Sequence, residues 1–143
     1  MKNQVLSVEQ MQYLQELGID TSRAKMSWYA IYETLPNWYN ELNIRDDVFD
    51  KNYPSVPTFT LQEMLEMLPL SITDRFYDEA FPQTAVLKIL PYGDNKWDIK
   101  YIEQKRYYPV FEIENLSDLL TCAYEVLCWL VENNYIENNN ENK

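Results

Sequence analysis

The chain has 143 residues, 46% of them apolar and 15% aromatic, with a net charge of −11. Such a chain folds rather than stays disordered, and at this length it buries roughly 70% of its unfolded surface without a disulfide or metal staple. The charge disfavours direct DNA or RNA binding, which needs a basic surface, and an anionic membrane surface; the absence of His excludes His-based catalysis, His metal ligation and a conventional pH switch, the lack of a Cys cluster besides argues against a zinc site, and two Gly, Gly18 and Gly93, cannot make a Gly-rich phosphate loop.

The first element is announced by Ser7, a good N-cap, with Gln10 at N3 to complete a capping box. Leu6 and Met11 hold the positions of a hydrophobic staple, Met11, Leu14 and Leu17 form one stripe, and Gly18 suits the left-handed residue after the helix. This pattern predicts a helix over 8–17. Residues 26–34, MSWYAIYET, are short and aromatic-rich and read as a strand. Residues 35–57 hold Pro36, Pro54, Pro57 and several Asn without a clean period. They read as a long irregular segment or one short helix around Trp38–Leu42.

In FTLQEMLEMLP, Thr60 and Glu63 repeat the capping box, with Phe59 and Met64 as the staple. Leu61, Met64, Leu65 and Leu68 share a face opposite Gln62, Glu63 and Glu66, and Pro69 helps end the helix. Residues 84–113 read as an antiparallel meander of three strands with one wet face. KWDIKYIE puts Trp97, Ile99 and Tyr101 on one side and Asp98 and Lys100 on the other. Pro109 marks a strand start or an edge.

The last helix takes Asn115 as cap, Asp118 at N3 and Asn134 as its left-handed terminator. Its polar residues Asp118, Thr121, Glu125 and Glu132 fall in one narrow strip, and the rest of its circumference is apolar. Three charges break any membrane span. Burial of this helix therefore requires a sandwich, with the meander on one side and the first or second helix on the other. The fold class that follows is α+β, a small antiparallel β-meander with helices packed on one face. One globular domain is expected over 1–136, with a disordered polar tail at 137–143.

Acidity is uneven: residues 26–83 carry ten acidic and three basic side chains, a net of −7, whereas 84–114 carry five of each. Glu41, Asp46, Asp47 and Asp50 lack the order and the Gly of an EF-hand loop and read as a solvated charged loop. Asp74, Asp78 and Glu79 read as solvated surface rather than paired catalytic carboxylates. Segment 28–53 holds seven aromatics, Trp28, Tyr29, Tyr32, Trp38, Tyr39, Phe49 and Tyr53, for which the core is the first reading and partner anchoring the second. Cys122 and Cys128 diverge by about 120° on a helix and cannot pair, and nothing basic lies within a turn of either. Two buried, reduced thiols and an N-terminus without a signal-type apolar run point to the cytoplasm.

Three stretches, ELGIDTSRAKMSW (16–28), PTFTLQEMLEMLP (57–69) and AYEVLCWLVENNYI (123–136), resemble small uncharacterised proteins encoded in prophages and mobile elements of gut Bacteroidales. The resemblance touches about a third of the chain and misses 29–56. It implies a bacterial cytoplasmic setting and a mobile-element origin, and it carries over no functional residue.

The functional expectation is a non-enzymatic, cofactor-free protein-binding accessory or regulatory factor with an unidentified protein partner. Its contact residues are expected to be Trp38, Tyr39, Glu41, Asp46, Asp47 and Asp50, because only 35–53 combines the acidic excess with aromatic anchors. The alternative is an acidic nucleic-acid mimic that inhibits a host nuclease or DNA-binding protein. A carboxylate-dependent hydrolase of a small polar substrate stands third.

Overall fold

A computed structural model describes residues 4–31, 39, 41–74, 83–91, 93, 96–116 and 118–136. Among these residues the chain is α+β, with four helices and two antiparallel sheets. It divides into two compact units, one running to Met64 and one spanning Leu65–Ile136. The expected tail at 137–143 lies outside the described residues.

In the first unit, α1 (Val8–Glu16) starts on the expected capping box. Ser7 N–H donates to Gln10 Oε1 at 2.9 Å, and Gln10 N–H donates to Ser7 Oγ at 3.2 Å. Its end is a Schellman motif: Gly18 N–H bonds Gln15 C=O and Ile19 N–H bonds Leu14 C=O, both at 3.0 Å. Gly18 sits at φ +94°, a left-handed conformation that Gly adopts without strain. Leu6, Met11 and Leu14 are fully buried, and Phe59 N–H donates to the Met11 sulfur at 3.4 Å.

The strands β1 (Met26–Tyr29), β2 (Glu41–Ile44) and β3 (Ser55–Thr58) form a sheet in the order β2-β1-β3. On one face, the Trp28 indole N–H and the Thr58 hydroxyl both donate to the Leu6 carbonyl, at 2.8 and 2.7 Å. On the other, Tyr29 meets Phe49 of α2 (Asp47–Asn52). Both faces of the middle strand are therefore covered, and Met26, Ser27 and Tyr29 are buried. The expectation for 26–34 extends past this strand into residues 32–34, which lie outside the described residues. Segment 35–57 differs from its reading. Its described residues hold a strand at 41–44, which takes in Leu42 of the expected short helix, a helix at 47–52 and the start of a second strand at 55, while 35–38 and 40 lie outside the described residues. Each is too short to show a hydrophobic period.

α3 (Leu61–Met67) carries the second capping box, with Thr60 N–H donating to Glu63 Oε1 at 3.0 Å and Glu63 N–H to Thr60 Oγ1 at 3.2 Å. The boundary between the two units falls inside it.

The second unit is built on β4 (Ser71–Asp74), β5 (Gln83–Pro91), β6 (Trp97–Glu103) and β7 (Pro109–Leu116), paired in chain order. The meander is thus as expected, with one more strand. β4 carries little sequence signal, since SITD offers a single buried apolar residue, Ile72. β7 begins at Pro109 and lies at the sheet edge, where a missing N–H costs no ladder bond. Ile99 and Tyr101 are buried, and the opposite face carries the cross-strand row Lys88, Lys100, Glu112. Asp98 departs from the expected wet face and is buried. The register shift between Trp97 and Ile99 interrupts alternation there. Glu103, 1% exposed, turns into its own hairpin and accepts the backbone N–H groups of Lys105 and Arg106.

α4 (Leu119–Glu132) packs on β6 and β7. Its cap is Asp118, not Asn115, because β7 continues to Leu116 and takes Asn115 into the strand. Asp118 accepts Thr121 N–H at 2.6 Å. Asn134, at φ +62°, ends the helix as expected, in a second Schellman motif with Tyr135 N–H on Leu130 C=O at 2.8 Å. The buried positions Cys122, Ala123, Val126, Leu127, Cys128, Leu130 and Val131 sweep about 240° of its circumference. Phe111 stacks on Trp129 at 4.2 Å, and Trp129 on Tyr135 at 5.1 Å.

Both cysteines are free and buried, and the Cys122 thiol donates to the Trp97 carbonyl at 3.5 Å. Burial pushes each thiol up to about 11, with Asp118 and Asp98 adding to the effect at Cys122. An unfolded thiol ionises near ~8.5. The folded state therefore holds its full thiol contribution below that pH and loses it as pH rises toward about 11. A thiol reagent at neutral pH should leave both cysteines unmodified until denaturant is added. Rapid modification of the native protein, followed by mass spectrometry, would contradict this packing.

Candidate functional site

The strand–turn–helix formed by β2 and α2 collects the acidic residues singled out above. α2 starts at Asp46, whose extended backbone and side chain cap it: Oδ1 accepts Val48 N–H at 2.6 Å and Phe49 N–H at 3.4 Å. Asp47 and Asp50 lie in the first turn and Lys51 in the last, an arrangement that suits the helix dipole. Replacing Asp46 by Ala should cost ~1 kcal/mol, and replacing it by Asn close to nothing, since Asn caps as well as Asp. Equilibrium denaturation of the two variants distinguishes this capping role from a purely electrostatic one.

Asp50 is held from two sides. The Tyr29 hydroxyl donates to its Oδ1 at 2.5 Å, and the Arg45 guanidinium lies 3.8 Å from its Oδ2. Burial raises the Tyr29 hydroxyl above its ordinary value, and the bond to Asp50 adds to this, because a carboxylate neighbour disfavours the phenolate. Arg45 also donates to the Ser22 carbonyl at 2.7 Å and the Ala24 carbonyl at 3.4 Å, and its backbone N–H bonds Lys25 C=O at 2.9 Å. One guanidinium thus ties the 22–25 loop to the helix. The Phe49 ring lies 5.4 Å from Tyr29 and 5.7 Å from Tyr53, so three of the seven aromatics form one cluster in which Tyr29 is fully buried.

The expected contact residues consequently separate. Glu41 on β2 and Asp47 on α2 are exposed. Asp46 is engaged as a cap and Asp50 as the partner of Tyr29 and Arg45. Tyr39 is half-buried, and Trp38 lies outside the described residues. The structure adds two residues that the sequence did not single out. Ile44 and Val48 are each 66% exposed, one at the end of β2 and one in the first turn of α2. The signal available was weak: in NIRDDVFD Ile44 stands between an amide and a charged residue, and Val48 follows two Asp and precedes Phe49, so no period assigns either to a core. Among the described residues, no group of three or more Cys, Asp or Glu side chains is placed to hold a metal ion, and no helix is long and apolar enough to cross a membrane.

No family model, no curated protein and no solved structure matches this chain. The residues themselves therefore carry the functional reading.

Proposed function

We propose that this protein is a non-enzymatic binding factor whose β2–α2 segment docks a basic protein partner, in the cytoplasmic, mobile-element setting that the sequence suggested. One observation carries the reading: two aliphatic side chains, Ile44 and Val48, stand exposed in the same short segment as the exposed Glu41 and Asp47. A central apolar contact with charged residues around it is the usual composition of a transient interface, the aliphatics supplying desolvation and the carboxylates steering. Asp50, Tyr29 and Arg45 supply rigidity, so little ordering cost falls on association. The competing reading, an acidic mimic of nucleic acid that inhibits a nuclease or DNA-binding protein, needs carboxylates free to stand in for phosphates. Asp46 and Asp50 are engaged within the segment, which weighs against it.

The test is a paired affinity capture from an extract of the cells that make the protein, using the wild type and an Ile44→Ser/Val48→Ser variant. Both positions are exposed, so each change should alter stability by no more than ~0.5 kcal/mol. The reading expects a protein retained by the wild type and lost by the variant. Identical retention by both would overturn it.

A further inference from the structure

We infer that β2 accepts a basic, extended segment of the partner as an added strand, an inference that rests on the binding reading above and specifies its chemistry. The order β2-β1-β3 leaves β2 with one strand neighbour among the described residues. Its register on β1 pairs Met26 with Ile44, Ser27 with Asn43, Trp28 with Leu42 and Tyr29 with Glu41. Arg45 N–H bonds Lys25 C=O, which continues this register by one pair and marks it as hydrogen-bonded. Antiparallel ladders alternate, so Asn43 and Glu41 also bond inward, and the N–H and C=O groups of Leu42 and Ile44 point away from β1. The other side of the sheet agrees: Ala30 N–H bonds Pro54 C=O, which assigns Met26 and Trp28 to β3 and leaves Ser27 and Tyr29 for β2. Among the described residues, Ile44 N–H is occupied locally, by the Asn43 side-chain oxygen at 3.0 Å.

Proteins blunt their strand edges with Pro, extra pairing or coverage. Beyond β3, the pairing continues through Val5 with Thr60 and Leu6 with Phe59, and in the second unit β7 begins with Pro109. Among the described residues β2 has neither Pro nor a second strand partner, and only its shortness and Glu41 blunt it. Its outward groups meet a strand whose alternate side chains lie beside Glu41 on one face and beside Leu42 and Ile44 on the other, with Asp47 following in α2. The complementary occupant alternates basic and apolar residues. A four-residue edge gives few backbone bonds, so carboxylate attraction must supply much of the affinity.

The probes are two synthetic capped peptides, one alternating Lys and Val and the other alternating Glu and Val, with amide hydrogen exchange read by NMR. The Lys–Val peptide should slow exchange at Leu42 and Ile44 by roughly ten-fold or more, and the Glu–Val peptide should not. Ile44→Pro, which removes an outward N–H while sparing the ladder to β1, should abolish protection at Leu42. Ile44→Ala should only weaken binding. Asn43→Ala frees the Ile44 N–H and should tighten binding, which gives a readout even where the Pro variant folds poorly. Absence of protection at both amides, equal protection by the two peptides, or undiminished binding by Ile44→Pro would overturn strand addition. If the peptides fail while the Ile44→Ser/Val48→Ser variant still loses its captured partner, strand addition falls and the binding reading stands. If the variant also keeps every captured protein, both fall.

Discussion

Leu127→Ala should lower stability by ~2–5 kcal/mol, the range for a buried Leu whose cavity cannot close. Leu127 is fully buried on α4, between Ala123, Leu130 and Val131, all of them buried in the same helix. The helix is fixed at both ends, by the Asp118 cap and the Schellman motif at Asn134. It can neither slide nor unwind cheaply to fill the gap. Urea denaturation gives the measurement, with Glu125→Ala as the exposed control on the same helix, expected within ~0.5 kcal/mol of wild type. A loss below ~1 kcal/mol for Leu127→Ala would mean that this side of α4 is not packed.

Tyr29→Ala should cost about as much, ~3–5 kcal/mol, for a different mix of reasons. The ring is fully buried in the middle strand of its sheet and meets Phe49. Its hydroxyl holds Asp50, and through Asp50 it meets Arg45. Tyr29→Phe separates the two contributions. It keeps the ring and removes a hydrogen bond to a charged acceptor, at ~1–3 kcal/mol. A double-mutant cycle with Asp50→Asn should return a coupling of ~0.5–3 kcal/mol, since each change removes the same contact. Additive effects would show that Tyr29 and Asp50 act separately and that α2 is held by other groups.

The legible parts of this fold were the local ones. Both capping boxes join residues three apart, and the left-handed positions at Gly18 and Asn134 are decided by the residue itself. The meander was legible because alternation runs over seven residues at Trp97–Glu103. β2, α2 and β4 were not, since four to six residues hold no full period and their stability comes from partners distant in the chain. The choice between Asn115 and Asp118 as cap turned on how far β7 ran, which neither residue encodes. The buried Asp98 lies at a register shift, which composition does not signal.

The candidate site shows the same division. The acidic group was visible as a group. Its division of labour was not, because Asp50 is claimed by Tyr29, 21 positions away, and by an Arg45 that also reaches back to Ser22 and Ala24. Exposure of Ile44 and Val48 is likewise a property of what does not cover them.

Surface plasmon resonance on the captured partner, at low and high salt, tests the central claim most directly. A Glu41→Gln/Asp47→Asn variant removes the two exposed carboxylates and leaves the cap and the Tyr29–Asp50 bond in place. Association should slow at low salt and its salt dependence should flatten, with dissociation nearly unchanged. Val48→Ala should do the reverse, speeding dissociation while leaving association alone. Wild-type kinetics for both variants at low salt would contradict the claim that β2–α2 is the contact surface.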